Sequence, residues 1–78
     1  MSRVKGKFIV SHKETWTTGT TKVFNHSFNT SDIVVSMWNL TTGEATLPDS
    51  MVTSDDNNIT ITVSDLPPAG LRVIIIGL

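Results

Sequence analysis

The chain has 78 residues, six basic and seven acidic side chains, a net charge of −1 and no cysteine. That length allows one domain and buries only roughly 60% of the surface an unfolded chain exposes, so reinforcement from outside the core is expected. Disulfides and thiolate metal sites are excluded, which leaves oligomerisation or docking on a larger partner as that reinforcement.

Met1 to Lys7 is followed by only three apolar residues before Ser11 and His12. This is too few for a secretory segment, and the run Val73 to Ile76 is too short to span a bilayer. Threonine, valine and isoleucine dominate the stretches between turns, helical periodicity is missing, and strands are expected throughout. Arg3 to Val10 alternates, with Val4, Phe8 and Val10 on one face and Arg3, Lys5 and Lys7 on the other. Glu14 to Thr17 reads as a short strand ended by Thr18-Gly19-Thr20. Lys22 to Phe28 places Phe24, His26 and Phe28 on one face, before a turn at Asn29 to Asp32.

Asp32 to Leu40 is apolar on both faces, as a central strand is, with Trp38 expected in the core. Thr41-Thr42-Gly43 makes a tight turn in which Gly43 takes positive φ. Glu44 to Leu47 and Met51 to Thr53 flank a bend at Pro48-Asp49, and Asp55 to Asn58 is a hairpin tip. Asn58 to Val63 turns Ile59, Ile61 and Val63 inward. After a loop over Asp65 to Gly70, Leu71 to Ile76 closes the fold as a strand apolar on both faces, central or covered by another chain. The expected fold is all-β, a single antiparallel β-sandwich of six or seven strands, Ig-like or jelly-roll-like. It divides into an N-terminal basic arm and first hairpin over 1–24 and a sandwich body over 25–78, one domain overall.

No catalytic site and no cofactor are expected. A Ser/His/Asp set can be drawn from Ser27, His26 and Asp32, but no nucleophile elbow surrounds any serine. His26, between two phenylalanines, reads as a buried histidine hydrogen-bonded to a turn. His26, Asp32, Trp38 and Gly43 are therefore structural residues. The acidic run at Asp55 lacks the glycine and distal glutamate of a calcium loop. The sequons at Asn25, Asn29, Asn39 and Asn58 are compositional in a chain this rich in hydroxyls.

Five of the six basic residues fall in the first 22 positions and six of the seven acidic ones follow residue 31. Lysines guarding a sheet edge account for this, as does head-to-tail complementarity between identical subunits or a basic arm on an acidic partner. Arg3, Val4, Lys5, Lys7 and Phe8 are the candidate interface residues of that arm. Trp16, flanked by threonines, is either an exposed contact anchor or a cap on one end of the core.

The run from Asn25 to Leu78 resembles a β-sandwich domain of tailed-bacteriophage virion proteins. The resemblance lies in His26 to Asp32, Ile33 to Asn39, Thr41 to Glu44, Pro48-Asp49, Asp56 to Ile61 and Arg72 to Gly77. In that family such domains occur in tail and head fibres and as free-standing head decoration proteins. The short chain favours a capsid decoration (cement) protein on the virion head, assembled in the host cytoplasm. Its implied partner is the major capsid protein or another virion protein, in a homo-oligomer with a trimer favoured, without nucleic acid or membrane. A tail or fibre-associated adaptor and a carbohydrate-binding module using Trp16 are the alternatives.

Overall fold

The computed structural model describes residues 10–78, which form seven strands and, among the described residues, no helix. They are β1 (Val10–Trp16), β2 (Thr21–Asn25), β3 (Ile33–Asn39), β4 (Ala45–Thr46), β5 (Ser50–Asp55), β6 (Asn58–Thr62) and β7 (Leu71–Gly77). One sheet has the order β1-β7-β3-β4 and the other β2-β6-β5, every pairing being antiparallel. The fold is all-β, an antiparallel two-sheet sandwich.

The break expected between Val10 and Glu14 is absent. β7 offers β1 a continuous partner, from Val10 opposite Gly77 to Trp16 opposite Leu71, so one strand runs through Ser11 to Lys13. The rest of the Arg3–Val10 strand lies outside the described residues. Among the described residues β1 and β2 pair with β7 and β6, in different sheets, and not with each other. β2 stops at Asn25 rather than Phe28, because Ser27 and Asn29 take positive φ (59° and 57°), which a strand cannot hold.

Alternation then fills the core. β7 sends Leu71, Val73 and Ile75 inward, and β6 sends Ile59 and Ile61, with Val63 just beyond it. Trp16, Phe24 and Met37 complete the buried cluster, against which Phe28, Ile33, Val35 and Leu66 pack. Both ends are tied by backbone bonds. At one, His26 N–H donates to Asn57 O (2.9 Å) and Thr30 N–H to Asp56 O (2.8 Å), fastening the loop after β2 onto the β5–β6 hairpin. At the other, Leu40 N–H donates to Gly70 O (3.0 Å) and Val63 N–H to Thr20 O (2.8 Å). Gly43 takes φ 81° in the β3–β4 turn, where Asn39 Oδ1 accepts from the Thr41 and Thr42 N–H groups.

Candidate docking face

The two tryptophans exchange the places the sequence suggests for them. Trp16 is 1% exposed, edge-on to Phe24 with ring centroids 5.6 Å apart, and its indole N–H donates to Thr18 O at 2.8 Å. It caps the core and is not an exposed contact anchor. Trp38, expected in the core, is 41% exposed. The cause is parity: Met37 lies opposite Val73 on the inner face, so Trp38, opposite Arg72, must point outward.

The same parity places Val34 opposite Ile76 and Ser36 opposite Ile74 on that outer face. β1 adds Ser11 beside Ile76, Lys13 beside Ile74 and Thr15 beside Arg72. An apolar surface of Val34, Ile74, Ile76 and Trp38 results, bordered by the cations Lys13 and Arg72. The remaining positions are serine, threonine and alanine, with no carboxylate among the described residues.

The other sheet shows what an outer face looks like when water covers it. There Thr21 and Thr62 hydroxyls meet at 3.2 Å and Ser54 and Thr60 at 2.9 Å, giving a face dominated by hydroxyls. Antiparallel sheets with one solvated face alternate apolar-in and polar-out, and the β2-β6-β5 sheet follows that rule apart from Val23 and Val52. The four-stranded sheet breaks it at its centre. Contiguous apolar surface with aromatic and arginine side chains marks protein interaction sites.

A second concave region adjoins this face around the short β4. Leu47, 89% exposed, stands between a groove shared with Val35, Trp38 and Met51 and a cleft of about 610 Å³ at the sandwich end. The carboxylates of Asp49 and Asp65 line that cleft. Ser64 Oγ donates to Asp49 Oδ2 at 2.6 Å. β5 is exposed along its whole length, so the sandwich is open on this flank.

Other polar groups serve local structure. His26 is 5% exposed, its Nδ1 accepts from Phe28 N–H at 3.1 Å, and its ring packs on Phe28. Neutral imidazole then carries its proton on Nε2, which is buried without an acceptor. Ser27 Oγ donates to Asn25 Oδ1 (2.6 Å), so it is not directed at His26. The Asp32 carbonyl accepts from Leu78 N–H, tying the start of β3 to the end of β7. On the β1 side, His12 Nε2 lies 2.9 Å and Lys22 Nζ 3.1 Å from the Glu14 carboxylate, bridging the two sheets. The hydrogen bond from His12, aided by Lys22, outweighs partial burial and holds Glu14 below the usual carboxylate range. Asp55 is also lowered, by bonds from the Asn57 N–H and the Asn58 amide within its own hairpin.

Comparison with known proteins adds no assignment: no protein-family model matches the chain, and no curated protein or solved structure matches it. Of the interface residues expected from sequence, Arg3, Val4, Lys5, Lys7 and Phe8 lie outside the described residues. Val34, Arg72, Ile74 and Ile76 are not among the interface residues expected from sequence. Their signal in the sequence is the apolarity of β3 and β7 at both parities, which marks central or covered strands without naming the outward residues.

Proposed function

We propose that this chain is a structural protein of a bacteriophage particle, a small sandwich that docks on the head lattice as a decoration protein. The observation that supports a docking role is the apolar outer face beside Arg72, where Val34 and Trp38 are exposed and Ile74 and Ile76 half-buried. The resemblance of Asn25 to Leu78 to phage virion sandwiches supports the kind of particle. Trp and Arg carry most of the energy of many protein interfaces, and here they are cross-strand neighbours. Binding only the assembled shell would favour assembly by mass action, by about 2.7 kcal/mol per site at a free concentration one hundred times Kd.

The test is mass spectrometry and immunogold labelling of particles purified from a source encoding this sequence. Many copies per particle with label on heads are expected. Label confined to tails would move the protein to the tail, and absence from particles would overturn the reading. In parallel, a Trp38→Asp chain that folds normally should fail to bind shells lacking the native protein. The carbohydrate-binding alternative has lost its anchor, because Trp16 is buried.

A further inference from the structure

We propose that the apolar face is covered by a second copy of this chain, joined head to tail. The occupant is the acidic rim of Leu47, Met51, Asp49 and Asp65 on the neighbouring molecule. The proposal rests on the docking-face reading above and names the partner of that face.

Three observations on the chain choose this occupant. The face carries Lys13 and Arg72, and among the described residues neither is in an ion pair. Pairing two such faces would bring four cations together in an apolar interface with no carboxylate to neutralise them. Like-charge contacts of that kind select against a partner. The rim supplies what the face lacks, an exposed leucine and methionine next to two carboxylates.

The contact is heterologous: face and rim meet at Trp38 but are otherwise different surfaces, so a pair still offers one free face and one free rim. Repetition closes a ring or runs on as a filament, depending on the rotation between copies. Seven residues along a strand and four strands across give a flat footprint of about 23 by 19 Å. That is small beside the roughly 800 Å² per partner of a standard interface. Each contact is therefore weak alone, and association depends on concentration and falls with added salt.

Sedimentation velocity of the full chain over a concentration series tests this, with Val34→Glu to spoil the face and Leu47→Lys to spoil the rim. Both positions are solvent-exposed, at 48% and 89%, and thermal melts check that each variant folds. The wild-type chain should associate. Each variant alone should do so at least about tenfold more weakly. Mixing the two should restore association, because the intact rim of one meets the intact face of the other.

Self-association of Leu47→Lys at wild-type strength would overturn the head-to-tail contact and indicate face-to-face pairing. A wild-type chain monomeric at every concentration would overturn the second copy as occupant. The docking face itself fails separately, if Trp38→Asp leaves binding to shells unchanged.

Discussion

Conservative replacement of each tryptophan by phenylalanine separates the core cap from the docking face. Trp16→Phe shortens a ring that is 1% exposed and packed edge-on against Phe24, and it leaves the Thr18 carbonyl without its indole donor. Removing a buried aromatic entirely costs about 3–5 kcal/mol, and the loss of one ring's worth of volume costs a fraction of that, about 1–2 kcal/mol. The broken hydrogen bond adds about 0.5–1.5 kcal/mol. The sum, about 1.5–3.5 kcal/mol, is large for a 78-residue chain whose whole stability is on the order of 4–12 kcal/mol. At about 4–8 °C per kcal/mol, the melting temperature should fall by roughly 6–28 °C.

Trp38→Phe, at a position 41% exposed, should cost no more than about 1 kcal/mol and leave the melt nearly unchanged. Fluorescence supplies an independent readout, since each variant retains one tryptophan. The Trp16→Phe chain should emit at long wavelength and be quenched readily by acrylamide. The Trp38→Phe chain should emit at short wavelength and resist quenching. Equal quenching of the two, or a larger stability loss for Trp38→Phe, would refute the assignment of inside and outside faces.

Gly70 and Gly43 share nearly the same positive φ (86° and 81°) but not the same surroundings. A Cβ on Gly70 would lie 2.6 Å from the Trp16 carbonyl oxygen, whereas one on Gly43 meets nothing within 4 Å. Gly43→Ala should cost only the conformational penalty of about 1–2 kcal/mol, and Gly70→Ala clearly more, as urea melts would show. His26→Phe exchanges one unpaired group for another: it removes the buried Nε2–H and orphans Phe28 N–H, terms of about 1–3 kcal/mol each that oppose. Its net effect should be small beside His26→Ala, and nitrogen NMR of the wild type should find the proton on Nε2. Glu14→Gln should destabilise the fold by less than about 1 kcal/mol near neutrality, because the pair is partly exposed and screened. Glu14 has a lowered folded value, so its contribution is present above the unfolded value near 4.5 and is lost as pH falls through the folded one. Wild type and variant melts should therefore converge in acid and in high salt.

Most of the fold is legible wherever one strand face is buried and the other is wet. Ile59, Ile61 and Val63 are inward as alternation predicts, and the hairpin turns fall where expected, one on the positive φ of Gly43 and the other on Asp55, whose Oδ1 accepts from the Asn57 N–H. Legibility fails where both parities are apolar. In β3, Met37 and Trp38 are equally good core residues by composition, and only the register with β7 decides that Val73 faces Met37. It also fails for isolated side chains in polar surroundings: Trp16 sits among threonines, yet it is the last inward position of β1 and so reaches the core. Long-range pairing, which no local window contains, settles both cases. The extent of β1 has the same origin, because its partner β7 lies some sixty positions along the chain.

A sandwich this small has one sheet of four strands and one of three, with β4 only two residues long. Among the described residues nine buried apolar side chains already furnish the core between them, and the outward apolar residues of β3 and β7 do not reach that inner face. They stand instead on the outside of the larger sheet, where Val34 and Trp38 keep 48% and 41% of their surface in water. The hydroxyl-rich outer face of β2-β6-β5 demonstrates that this sequence builds a wet sheet surface when one is needed. The outer apolar positions thus add little to the inner core, and the docking contact proposed above would give them a further role. Such a contact would also reinforce a 78-residue chain without cysteine, since a partner that binds only the folded sandwich stabilises it with the logarithm of its own concentration.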